Sequence, residues 1–334
     1  MADPQVLCLG EVLFDKLADQ AGKPLEQVLS WTDYPGGAPA NVACALAKLG
    51  TPSAFLGCVG VDATGNTLVE LLQSCGVDER GIQRHPTAPT REVFVVRSEA
   101  GDRQFSGFGD RPTDAFADAF LQADQLPIDL FANARILVLG TLELAYADSA
   151  AAVRHALTLT QHHPLQVFMD VNWRPMFWQD PAPARDLILE LLPQVNLLKL
   201  SAEEADWLFE TRDPQAIITQ FDALAGVLIT DGDRGCTYAV GGYADHVGAF
   251  SVDVEDTTGA GDAFVAGFIH QLCQPEATLF KSAEAMRDAV VYASAVGALT
   301  TMRAGAIAAQ PTVREVEAFL YLNPAPSPSD EAVG

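Results

Sequence analysis

Basic residues are scarce: 20 lysines and arginines stand against 44 aspartates and glutamates, a formal net charge of −24. Such a surface repels phosphate backbones and anionic headgroups, so the composition argues against nucleic acid or a membrane surface as partner. Any anionic small molecule must then be held by local donors against an unfavourable field. No apolar run is long enough to cross a bilayer. The opening residues Met1 to Gln5 lack the basic stretch and apolar core of a secretory signal. Of the six cysteines, Cys8, Cys44, Cys58, Cys75, Cys236 and Cys273, no two have C-x-x-C spacing, and all have apolar or small neighbours. That pattern excludes a disulfide framework or thiolate metal site and reads as buried thiols of a reducing compartment; the expected location is cytoplasmic. Internal repeats are absent too. The 334 residues suit one large α/β domain with an accessory element.

What is present centres on Asp256-Thr257-Thr258-Gly259-Ala260-Gly261-Asp262, which runs directly into the apolar stretch Ala263 to Ile269. Small residues before a helical run leave backbone N–H groups uncovered at a helix start, which is an anion site. Gly259 and Gly261 let the backbone bend and approach a ligand without a Cβ in the way. Asp262 is the odd member, because an acid beside an anion needs some other task. Accepting a proton from an attacking hydroxyl while the amides hold a transferring phosphoryl group fits that position. Taken by itself, Asp262 also reads as an acid that complements the helix dipole.

The chain before this stretch alternates strand and helix. Val6 to Leu9 is a buried strand ended by Gly10, with Glu11 and Asp15 on the carboxyl edge where ligands gather in a parallel sheet. Residues 16–34 read as a small β excursion. After Gly36-Gly37, Pro39 sits in the first turn of a helix that stops at Gly50, and Asn41 offers a donor and an acceptor within that turn. Residues 92–97 and 103–105 flank Gly101-Asp102 as a hairpin, in which Phe105 and Phe108 are set to cover a ligand face or to pack a contact between copies. Ile136 to Leu139 and Gln166 to Met169 are strands joined by a helix from Tyr146, the mark of a parallel sheet. Strand alternation past Asp170 would point Asn172 and Arg174 the same way. Leu197 to Leu200 leads into Ser201-Ala202-Glu203-Glu204, a capping box. Thr230 ends a further strand, and Asp231 to Gly235 reads locally as a hairpin turn. Helices follow over 263–271 and 283–299, Thr312 caps a last one, and 324–334 is a disordered tail.

The run D-T-T-G-A-G-D-A-F-V-A-G over 256–267 resembles the C-terminal signature of the ribokinase-like (PfkB) sugar kinases, and Gly36-Gly37-Ala38-Pro39-Ala40-Asn41-Val42-Ala43 resembles their N-terminal one. The similarity extends from Val6 to Leu320. It implies a three-layer Rossmann-like α/β sandwich with a mostly parallel central sheet and a small β lid. The whole is a single domain over 1–323, with lid segments at 12–35 and 88–112. It also implies a reaction: Asp262 is the base, with the amides of Gly259, Ala260 and Gly261 on the transferred phosphoryl group. Asp15, Gly36, Gly37, Asn41, Phe105, Asn172 and Arg174 are implied for the sugar, and Lys199, Thr230, Gly232, Gly259, Gly261 and Ser294 for ATP. Glu204 is implied for Mg2+ through water, although Ser201 departs from the family's Asn. The loop with Arg303 and Gly305, together with Asp256, is implied for a monovalent cation such as K+; Ala309 stands where a serine is frequent.

Gly10-Glu11, the Ala-Pro within 36–41 and Asp170-x-Asn172-x-Arg174-x-x-x-Trp178 are most similar to the fructokinase branch, which implies transfer to the primary 6-hydroxyl of D-fructose. The first lid segment carries Lys16 and Lys23 against Asp15, Asp19, Glu26 and Asp33, favouring a neutral sugar; the arginines of the second segment weaken that argument. The alternatives are 2-keto-3-deoxygluconate kinase, ribokinase and, of a different class, a non-catalytic sugar or nucleotide sensor. A dinucleotide oxidoreductase is disfavoured because the first strand lacks a G-x-G-x-x-G turn. Lids of this kind imply a homodimer.

Overall fold

The computed structural model describes residues 3–98, 103–163, 165–274 and 279–324. In chain order the first elements are β1 (Val6–Leu9), β2 (Leu13–Ala21), β3 (Trp31–Gly36), α1 (Ala38–Lys48), β4 (Ser53–Gly60), α2 (Ala63–Cys75), β5 (Asp78–His85), β6 (Glu92–Arg97) and β7 (Arg103–Gly107). There follow α3 (Ile128–Asn133), β8 (Ile136–Leu139), α4 (Ala147–His162), β9 (Gln166–Asp170), α5 (Ala184–Leu191), β10 (Leu197–Ser201), α6 (Ala202–Phe209) and α7 (Pro214–Ile218). The last are β11 (Gly226–Thr230), β12 (Cys236–Val240), β13 (Tyr243–Val247), α8 (Ala260–Cys273), α9 (Ala283–Thr301) and α10 (Val313–Leu322).

The main sheet has nine strands in the order β13-β12-β11-β10-β9-β8-β1-β4-β5. It is parallel from β5 through to β11, and only β12 and β13 run antiparallel at one edge. Alternating strand residues feed two separate apolar layers. In β1, Leu7 and Leu9 face the layer covered by α3 to α7, while Val6 and Cys8 face the one covered by α1, α2, α8, α9 and α10. This is the expected three-layer sandwich. The strand order reverses at β1, which lies between β4 and β8, so the crevice beyond the carboxyl ends of β1 and β8 is where a ligand belongs.

A second sheet, β3-β2-β6-β7, is the lid, entered from the end of β1 and again after β5. The hairpin turn at Gly101-Asp102 and the tail beyond residue 324 lie outside the described residues. Two boundaries differ from expectation in ways that matter. Helix α8 begins at Ala260 because Gly259 takes a left-handed φ of 78° as its N-cap, which places Gly261 and Asp262 in the first helical turn. Strand β9 stops at Asp170, and Asn172 has a left-handed φ of 39°. Strand alternation therefore does not orient Asn172 and Arg174; a loop presents them.

Candidate active site

Asp262 lies in the first turn of α8, 9% exposed. Its Oδ2 accepts a 2.7 Å hydrogen bond from Asn41 Nδ2 in the first turn of α1, so the two motifs, 221 positions apart, meet side chain to side chain. Pro39 at the start of α1 and the turn at Gly37 aim Asn41 this way. Gly37 has φ 104°, and a Cβ there would come 2.4 Å from the Glu11 carbonyl, so its glycine serves contact with the β1–β2 connection. Burial and the charge of Asp170 push the Asp262 carboxyl up to about 6, against the opposing pull of Asn41, Lys199 and Arg174. An acid that changes protonation near neutrality suits proton transfer.

The helix start carries no side-chain cap. Lys199 supplies positive charge there: its Nζ lies 3.0 Å from where a Cβ on Gly261 would stand, so the glycine lets the ammonium approach without shifting. Lys199 is buried and bonded to both oxygens of Asp170 at 3.1 Å. Burial opposes its charge, yet Asp170, Glu204 and Asp262 hold its pKa above the ordinary value. Thus a protein of strongly negative net charge keeps one buried cation at its anion site.

Beside this cation opens a cavity of about 690 Å3 lined by Lys199, Thr230, Gly232, Gly261 and Ser294, all expected for nucleotide, and by Phe250, which was not. Its volume falls in the range of small-molecule and cofactor sites. Residues 249–254 on its wall are irregular and carry no motif, so nothing local marked them. Gly259 is not among the lining residues: a Cβ there would stand 2.7 Å from Ala306 Cβ, so this glycine makes room for the 303–309 loop. Of the three expected amides, that of Ala260 donates to the Thr257 carbonyl at 3.3 Å, which makes those of Gly259 and Gly261 the better placed.

Asp256 staples that loop down. Its Oδ1 accepts from the Thr258 amide and hydroxyl, and its Oδ2 from the Gly305 amide at 2.9 Å. The Arg303 side chain turns away to Glu315 at 2.9 Å. Glu204 completes the capping box with Ser201; its Oε2 accepts from the Ser201 amide at 2.7 Å and its Oε1 from the Trp173 amide at 2.6 Å. Among the described residues no group of three or more His, Cys, Asp or Glu is arranged to hold a metal.

On the lid side, Asp15 in β2 lies over Gly36, where a Cβ would come 3.3 Å from its Oδ2. Phe105 in β7 is 39% exposed and packs edge-on to Phe108 at 5.2 Å, while Phe108 is buried. Arg174 is exposed and donates to the Trp173 carbonyl. Two buried acids escaped the sequence reading as a pair. Glu11 follows β1 and accepts from the Ala38 amide at 2.7 Å, and Glu143 follows β8 with both oxygens unpartnered. Burial pushes Glu11 up to about 7 and Glu143 well above the usual carboxylate range, each reinforced by the other or by nearby acids.

Residues 3–313 match the family model described as pfkB family carbohydrate kinase. The chain is similar to fructokinase-2 of Zea mays, 35% identical over 311 residues that cover 92% of this chain and 91% of that protein. Among solved structures, the fructokinase of Xylella fastidiosa with bound ATP superposes with a TM-score of 0.84 at 32% identity, covering 95% of this chain and 98% of that one. The fructokinase of Vibrio cholerae O395 in a form with fructose, ADP and calcium ion gives 0.81 at 29% identity, covering 96% and 100%.

Proposed function

The chain belongs to the pfkB family of carbohydrate kinases, and from that membership we propose that it is a fructokinase that moves the γ-phosphoryl group of ATP to the 6-hydroxyl of D-fructose. The observation that carries this reading is the Asn41–Asp262 hydrogen bond, which joins the two signature motifs at an uncapped helix start beside the Lys199 ammonium. Asp262 takes the hydroxyl proton as the oxygen attacks phosphorus in line. Asn41 holds the carboxylate by one oxygen and leaves the other for the substrate. The amides of Gly259 and Gly261, with that of Ala260, meet charge developing on the transferred group, and Lys199 adds to them.

The adenine end fits the cavity near Ser294 and Phe250. A magnesium ion carried in with the nucleotide would supply charge neutralisation on its phosphates. On this chain Glu204 would hold it through water, since backbone amides already use both carboxylate oxygens. For the sugar, contacts are assigned to Asp15, Gly36 and Phe105 from the lid strands and to Gly37, Asn172 and Arg174 from the body. The fructose-bound Vibrio relative supports fructose over 2-keto-3-deoxygluconate or ribose.

ADP release with fructose, ribose, glucose, 2-keto-3-deoxygluconate and adenosine, with and without potassium, tests the assignment. Fructose is expected to be turned over best, and release with none of them would favour a non-catalytic sensor. The potassium arm reads whether the Asp256–Gly305 staple carries a cation. Asp262→Asn is expected to lower kcat by roughly 10²–10⁴-fold with fructose affinity little changed. Near-normal turnover by that variant overturns the base assignment. We infer further that two copies pair through their lids, whose sheet packs Trp31 against Phe94 at 5.1 Å and whose β2–β3 connection holds Leu29 at 88% exposure. Sedimentation at assay concentration should give twice the 35.6 kDa chain mass, and a monomer there refutes the pairing.

A further inference from the structure

Arg91 is an arginine with no route to water: its side chain is 0% exposed. Its Nε and Nη2 fork onto Asp118 at 2.5 and 2.7 Å, and Nη2 also donates to the Thr113 carbonyl at 2.9 Å and the Tyr146 hydroxyl at 3.1 Å. Four aromatic rings surround the guanidinium, Phe108, Phe116, Tyr146 and Phe177, with centroids 4.6 to 5.3 Å from its carbon. So costly a burial is not needed for packing, since an apolar side chain of similar volume serves at least as well. The partners explain what the charge does.

Arg91 immediately precedes lid strand β6, and its carbonyl accepts from the Phe14 amide where lid strand β2 begins. Phe108 directly follows lid strand β7 and carries Phe105, the exposed ring of the lid, at 5.2 Å. On the body side, the Tyr146 hydroxyl donates to the Phe177 carbonyl at 2.8 Å, and the Phe177 amide donates to the Arg174 carbonyl at 3.1 Å. Contacts therefore run unbroken from Phe105 on the lid, through Phe108, Arg91 and Tyr146, to the loop that holds Asn172 and Arg174. We infer that Arg91 is a positioning residue that sets the lid wall and the Arg174 wall of the sugar site at a fixed separation, working through Phe108 on one side and Tyr146 on the other.

The inference rests on the sugar-kinase reading, and its test separates the two. Tyr146→Phe keeps the ring beside the guanidinium and removes only the hydroxyl that links Arg91 to the Phe177 carbonyl. Its KM for fructose is expected to rise roughly ten-fold, because small displacements of positioning groups are costly, while KM for ATP stays near wild type. The loss of a buried hydroxyl bonded to both Arg91 and the Phe177 carbonyl lowers the unfolding temperature in any case, so the split between the two KM values is the readout. Arg91→Lys keeps the charge but loses the fork and should raise the same KM without rescue. A role confined to stability would lower the unfolding temperature too, but leave the two KM values in their wild-type ratio. If wild type turns over fructose and Tyr146→Phe matches it in KM, or raises both KM values together, the inference is wrong and the kinase reading stands. If wild type turns over no sugar, both fall.

Discussion

At the scale of single residues, burial holds the Asp262 carboxyl in a state that costs stability. Its carboxyl keeps a proton to about pH 6 in the folded chain but releases it near 3.8 when unfolded. Between those values the folded state binds more protons, so stability falls as pH rises, and above about 6 the whole cost is present. Asparagine never ionises and can still accept from Asn41. Asp262→Asn should therefore be more stable than wild type at pH 7.5, on the order of 1–3 kcal/mol, and the difference should close below pH 4. Thermal unfolding at the two pH values checks this; a variant less stable at pH 7.5 contradicts it. The same carboxylate makes kcat/KM climb with pH through about 6 if it is the base.

At the scale of elements, the close approach of α8 and α9 decides where the helix start sits. Gly267 faces α9, where a Cβ would lie 2.9 Å from Ala293 Cα and 3.0 Å from Val296 Cγ2. Helix propensity alone favours Gly267→Ala by about 1 kcal/mol. Overpacking against backbone opposes it by about 1–3 kcal/mol, and because α9 cannot yield as a side-chain end would, the substitution should be net destabilising. Urea unfolding measures the sign. The displacement should also reach the cavity wall, since Gly297 of α9 lies against Ala260 and Phe264 of α8. Elements of this kind were readable from periodicity: the buried strands, the helix after Pro39, the lid hairpin and the capping box at Ser201 all stand where the sequence places them. Strand periodicity misled past Asp170, because a left-handed residue ends the pleat at once.

At the scale of the whole molecule, a net charge of −24 surrounds a site that takes an anion. Screening extends over roughly 30 Å at 0.01 M salt and about 8 Å at 0.15 M, so raising ionic strength across that range should lower KM for MgATP and leave KM for neutral fructose unchanged. Steady-state kinetics in both salts tests it, and a KM for MgATP that does not fall would mean that the local donors alone govern nucleotide capture. The sequence by itself determined whatever depends on neighbours along the chain: strand and helix periodicity, the glycine turn that bares the amides before Asp262, the capping boxes, and hence the order of elements and the family. Only the tertiary structure decided which distant side chains meet: Asn41 with Asp262, Lys199 with Asp170, and Arg91 walled in by residues from lid and body. The reason is physical. Backbone preference acts over a turn or a pleat, whereas these contacts arise when a strand order reversing at β1 brings separate crossovers to one edge of the sheet, and burial then forces each charge to find its partner.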